Sequence, residues 1–169
     1  MSFDVFLQRF GGGKPAEVSR EPVLAVLRTT KFRGPDDFGV YVVEFPDGQE
    51  VERSAEGLQG PGAFKDCSFE IHGMSPHLVR FMFEVAKAGD MVMLPAMEDF
   101  VPILSRPEQR KELPEDLAGN EPEPVGCDSP EELDLLLSGG YAGCRSVESR
   151  FCVRTVGSIN APEPTATAP

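Results

Sequence analysis

Apolar and polar residues alternate from Ser2 to Phe10 (SFDVFLQRF), with Phe3, Val5 and Leu7 on one side of an extended chain and Phe6 on the other. The pattern predicts an opening strand with some cover on both faces, ended by Gly11-Gly12-Gly13. Val23, Leu24, Val26 and Leu27 then recur at helical spacing behind Ser19, an N-cap residue, with Pro22 in the first turn where a missing N–H is harmless. Phe38 to Phe45 (FGVYVVEF) reads as a buried strand turned by Pro46-Asp47-Gly48, and Gln49 to Ser54 returns with alternating polarity. Beyond the glycine-rich loop Gly57–Gly62, Cys67, Phe69 and Ile71 alternate with Ser68, Glu70 and His72 as a half-buried strand.

The most regular helix begins at Ser75-Pro76. Its apolar stripe is Leu78, Val79, Met82, Val85 and Ala86, and Gly89 stands at the C-cap position. Met91–Leu94 is a short apolar strand stopped by Pro95, and Val101–Leu104, interrupted by Pro102, suits a sheet edge. Ser105 with Glu108 predicts a capping box for a short helix ending near Leu113-Pro114. Ser129 with Glu132 predicts another, for a helix through Leu133, Leu136 and Leu137 that stops at Gly139-Gly140. Strand, helix, hairpin, strand, helix, strand is the order of an α+β fold. The expectation is a two-layer sandwich with a mixed, mostly antiparallel sheet and helices on one face, ferredoxin-like with an inserted hairpin. Residues 1–118 form the expected core domain, 119–140 a Pro/Glu linker and C-terminal helix, and 141–169 a poorly structured tail closing on Ala-Pro-Glu-Pro-Thr-Ala-Thr-Ala-Pro.

Charge sharpens this picture. The chain carries a formal −12, and residues 96–140 alone hold 12 acidic and 3 basic side chains. Nucleic acid needs clustered Lys and Arg, and anionic membrane surfaces need the same, so neither is expected as a partner. A basic protein is the partner such a field steers in fastest. No apolar run approaches the roughly 20 residues of a membrane span. Cys67, Cys127, Cys144 and Cys152 show no CxxC or framework spacing, and no secretory apolar region precedes them, so free thiols in a reducing cytoplasm are expected.

Candidate chemistry is sparse. His72 and His77, the two histidines, are five apart across a Gly-Met-Ser-Pro turn, and with Cys67 they fall short of metal or nucleophile geometry. Cys67, in phase with Phe69 and Ile71, is expected to pack as a small core hydrophobe. The glycine clusters lack the spacing of a phosphate loop. No catalytic residue, metal ligand or cofactor is expected. Two loops combine an apolar anchor with acids: Met97-Glu98-Asp99-Phe100, leaving an apolar strand, and Asp36-Asp37, leading into Phe38. These six, Asp36, Asp37, Met97, Glu98, Asp99 and Phe100, are the candidate partner-binding residues.

Ser2–Phe10 and Gly73–Pro95 (GMSPHLVRFMFEVAKAGDMVMLP) resemble segments of small uncharacterised bacterial proteins. Some similar small acidic proteins are encoded beside secreted toxins and act as their immunity partners. The resemblance spans about residues 1–118. It implies an intracellular binding protein and carries no functional residue over. The alternative expectation is a small-ligand-binding or regulatory domain with a pocket between sheet and helices.

Overall fold

The computed structural model describes residues 3–97, 101–119 and 123–138. The chain opens with β1 (Phe3–Gln8) and a small hairpin of β2 (Phe10–Gly11) and β3 (Lys14–Pro15). Then come α1 (Arg20–Leu27), β4 (Lys31–Arg33), β5 (Val40–Glu44), β6 (Glu50–Ser54), β7 (Asp66–Ile71), α2 (Pro76–Gly89) and β8 (Val92–Pro95). The last part holds β9 (Ile103–Leu104), a 3-10 helix (Pro107–Glu112), α3 (Glu115–Ala118), β10 (Val125–Gly126) and a helix α4 over 130–138. The result is a mixed α+β fold in two layers. An eight-stranded sheet runs in the order β10-β9-β8-β1-β7-β6-β5-β4, antiparallel throughout except for the β9–β10 pair at one edge.

Alternation along the strands divides the sheet into two chemically different sides. Val5, Leu7, Tyr41, Val43, Val51, Cys67, Phe69 and Ile71 all point one way, where they join the buried stripes of α1 and α2 and the leucines Leu133, Leu136 and Leu137 of α4 in one core. Helix α2 contributes more of this core than α1 or α4 does. Ser75 Oγ accepts from Leu78 N–H at 3.3 Å, Pro76 follows as the first helical residue, and eight of its fourteen residues are buried. On the opposite side a smaller cluster of Phe10, Val92, Leu104 and Leu113, with Leu94 and Leu117 against it, roofs only the β8–β9 end under the 3-10 helix and α3. Over β1, β7, β6, β5 and β4 that second side stays open among the described residues.

Several local expectations shift. Gly89 is the last helical residue, and the C-cap falls on Asp90, whose φ of 54° is the left-handed conformation ordinarily left to glycine. The expected capping box at Ser105 and Glu108 moves by one residue: Gln109 Oε1 accepts from the Arg106 N–H at 3.2 Å, because Pro107 takes the first helical position. At Ser129 the pairing forms, with Ser129 Oγ accepting from Glu132 N–H at 3.2 Å and Glu132 Oε2 accepting from Asp128 N–H at 2.8 Å. Ser19 precedes α1 without its hydroxyl capping anything. Strand β5 starts at Val40 and not Phe38, since Asp36 and Gly39, the latter at φ 76°, fold the preceding residues into a turn. The edge strand β4 was not expected at all. The expected tail lies outside the described residues.

Candidate functional site

The open side of the sheet is acidic by register. Asp4 of β1 pairs with Glu70 of β7, and Glu70 pairs in turn with Glu52 of β6, so three carboxylates stand in one row across three adjacent strands. Strands are about 4.8 Å apart, and like charges set directly opposite one another oppose pairing. Neighbouring acids on the same side are neutralised: Lys31 Nζ lies 3.7 Å from Glu44, and the Arg33 Nη2 group meets both Glu50 oxygens at 2.9 and 3.0 Å. Asp4 and Glu52 have no ion-pair partner among the described residues, and Glu70 has only the His72 ring at 3.4 Å. One row over, Leu94, Phe6, Ser68, Ser54 and Val40 lie side by side. Phe6 is 46% exposed, a large apolar side chain kept in water beside the acidic row. The expected cover on its side of β1 stops at Leu94 and Leu117.

The loop residues singled out from sequence fall at opposite corners. Residues Gln8, Asp66, Val92 and Val40 mark one end of the sheet and Phe3, Ile71, Pro95 and Glu44 the other. Asp36 and Asp37 belong to the first end, four strand positions away from the strand that leads to Met97 at the second. Asp36 is occupied in shaping its own loop, Oδ1 accepting from the Phe38 and Val40 N–H groups at 2.9 Å each. Asp37 is exposed beside it, and Phe38 is 85% exposed. Met97 is half-buried against the main core. It follows Ala96, whose N–H donates to the Asp4 carbonyl at 2.7 Å, so this loop departs next to the acidic row. Glu98, Asp99 and Phe100 lie outside the described residues.

Four acids of the 96–140 block are engaged by other groups of the fold. Glu112 accepts from the Gly12 N–H, Glu123 pairs with Arg110 at 3.0 Å, Glu131 lies 3.9 Å from Arg80, and Glu132 caps its own helix. Asp90 gathers Arg9 at 3.6 Å, Arg106, and the Gln109 amide at 3.1 Å beside a cavity of about 290 Å3. The Asp90 carboxylate raises the Arg106 guanidinium further above its ordinary range. Between α2 and α4 runs a wider groove of about 650 Å3 lined by His77, Arg80, Glu131, Asp134 and Leu135.

Cys67 packs in the core as expected, and burial pushes its thiol pKa up, with the neighbouring Arg53 charge pulling the other way. His72 is exposed on the other side of the sheet, its ring 3.4 Å from Glu70, so the strand itself separates the two. Among the described residues no group of three His, Cys, Asp or Glu side chains is placed to hold a metal ion.

Arg53 is not among the expected site residues. It lies in phase with Val51 and Ala55, between Tyr41 and Phe69 in register, and is 0% exposed. Its guanidinium stacks 5.5 Å from the centre of the Phe69 ring, yet Nε, Nη1 and Nη2 find no hydrogen-bond acceptor among the described residues. Even with that ring contact, an uncompensated buried charge costs on the order of several kcal/mol. The signal was present in the sequence as a cation standing at an apolar position of an alternating strand.

No protein family, curated relative or solved structure matches this chain.

Proposed function

We propose that this chain is a non-catalytic protein-binding domain that docks a basic partner on the open side of its sheet, in the manner of an immunity protein covering the active surface of a toxin. The observation that carries the reading is the row Asp4–Glu70–Glu52, with two of its three acids lacking a charge partner among the described residues, beside half-exposed Phe6. A row of like charges disfavours folding and favours a cationic visitor. Carboxylates steer such a visitor into register, and an aromatic ring closed off from water slows its departure. Met97 stands at the Asp4 end of this surface, and a contact role for Met97, Glu98, Asp99 and Phe100 is part of the same proposal. Asp36 and Asp37 are a second, separate contact at the far corner.

The scaffold is a ferredoxin-type sandwich. The antiparallel order β8-β1-β7-β6, with α1 following β1 and α2 joining β7 to β8, supports this, and β4 and β5 are the insertion. Cys67 and Cys127 are free thiols, which agrees with a reducing cytoplasm. No helix among the described residues is long and apolar enough to cross a membrane. A second reading, a small-ligand-binding or regulatory domain, draws on the buried Arg53 guanidinium.

The test compares the whole chain with an Asp4→Lys/Glu52→Lys/Glu70→Lys variant for co-purification with products of neighbouring genes at low and high salt. Wild type is expected to retain a basic protein in a salt-sensitive way, and the variant to lose it while keeping its circular dichroism spectrum. Equal retention by both would refute docking on this face.

A further inference from the structure

The helix-covered side of the sheet holds a different kind of site. Arg53 presents three guanidinium nitrogens that are fully buried and have no acceptor among the described residues. Other polar hydrogens converge around them. Tyr41, directly across β5, is buried, and burial raises its phenol pKa while the Arg53 charge and the Gln59 backbone N–H hold it down. The Cys67 thiol feels the same guanidinium. The surroundings are apolar: Phe69 lies under the guanidinium, and Leu58 and Phe64 are buried in the same core.

The cover over this spot is a loop. Residues 55–63 join β6 to the residues before β7 and contribute Leu58 and Gln59, and Phe64 follows them. The segment is tied down by hydrogen bonds near its two ends: Ala55 N–H donates to Gly39 O at 3.2 Å, Arg20 of α1 donates from Nη1 to Gly60 O at 3.0 Å and from Nη2 to Gly62 O, and Val18 N–H donates to Phe64 O at 2.7 Å. Gly57 and Gly62 take φ of 78° and 102° in it, while Ala55 and Leu58 of the same loop reach into the core. A fork of donors in an apolar enclosure, closed by a glycine-rich strap, has the chemistry of an anion site that a ligand enters when the strap lifts.

We infer that Arg53, with Tyr41 beside it, anchors a binding site for a small monocarboxylate with an apolar body, gated by the 55–63 loop. A planar carboxylate matches the guanidinium fork in bidentate fashion, and an aromatic or aliphatic body suits Phe69, Leu58 and Phe64 better than a fully hydrated oxyanion does. This site lies on the opposite side of the sheet from the acidic row, so either can fail without the other.

The experiment is thermal unfolding of the full chain titrated with sodium benzoate, hexanoate, acetate or phosphate, against sodium chloride at matched ionic strength. Benzoate and hexanoate are expected to raise Tm saturably by roughly 4 °C, above acetate, with phosphate and chloride inert. Arg53→Met is expected to fold and to lose the response. Should that variant not fold, Arg53→Lys keeps the charge but not the fork, and a tenfold or greater rise in the half-saturating benzoate concentration is expected. The inference is overturned if no carboxylate shifts wild type beyond chloride, if phosphate alone does so, or if the response persists in Arg53→Met or is unchanged in Arg53→Lys.

Discussion

Glu52 and Glu70 face one another across β6 and β7, with no cation between them among the described residues. Cross-strand partners of like sign weaken a sheet by about 0.2–1 kcal/mol relative to neutral pairs. Glu70→Gln is therefore expected to raise stability by about that amount in dilute buffer, and the gain should vanish near 1 M salt, where the screening length falls to about 3 Å. Urea unfolding at both salt concentrations checks this. A destabilised Glu70→Gln would mean that the row is balanced from within, and the case for a cationic partner would lose its physical basis.

Phe6 and Phe69 give a contrast of location at constant chemistry. Phe69 is fully buried and stacked edge-on against Phe81 with ring centres 6.0 Å apart, whereas Phe6 stands in water on the other side. Phe69→Ala is expected to cost about 3–5 kcal/mol. Phe6→Ala should cost under about 1 kcal/mol and yet reduce retention of a bound partner. Denaturation midpoints and the co-purification assay, run on the same two variants, separate these outcomes.

Asp90 ties the end of α2 to the end of β1 and to the 3-10 helix through Arg9, Arg106 and Gln109. Asp90→Asn keeps tolerance for the left-handed backbone and the bond to Gln109, and loses only the charge. Asp90→Ala loses both. The alanine variant is expected to be less stable than the asparagine variant by about 1–2 kcal/mol, read from urea midpoints. Equal values would show that the carboxylate's partners contribute nothing beyond their charge.

Both described cysteines should be inert in the folded state. Burial pushes the Cys127 thiol to about 12 and raises Cys67 as well, and only a thiolate attacks a disulfide reagent. In a Cys144→Ser/Cys152→Ser background, the native chain is expected to show no fast thiol at pH 8 and two after unfolding. The same shift fixes a sign. An unfolded Cys127 ionises near 9 and the folded one near 12, so the native state holds its proton more tightly. Stability from this source is complete below pH 9 and declines as pH rises from 9 to 12. Cys127→Ala should flatten that decline, which alkaline unfolding curves would reveal.

The long periodic elements were readable from the sequence because their own side chains specify them. The Ser75-Pro76 start, the alternation at Cys67–Ile71 and the Pro46-Asp47-Gly48 turn each have a local physical cause, and each stands where expected. Strand β4 was not readable, since Lys31-Phe32-Arg33 is too short to show a period and exists only because Val42 to Glu44 of β5 offer it partners. The acidic row was hidden for a related reason. Asp4, Glu52 and Glu70 are 48 and 18 residues apart along the chain, and only strand order and register make them neighbours, whereas the dense acids of 96–140 advertise themselves in sequence and several of them are engaged elsewhere in the fold.

The outermost strand has a bearing on how crowded this protein can become. A sheet with one open side and an unfinished border invites copies of itself to stack and extend. Here the border is three residues long and carries Lys31 and Arg33, whose charges are spent on Glu44 and Glu50. A second molecule trying to lengthen the sheet would have to insert beside those ammonium and guanidinium groups and find backbone for only a few bonds. The β4 border thus offers a second molecule little backbone to pair with, even beside an exposed Phe6 and an acidic surface.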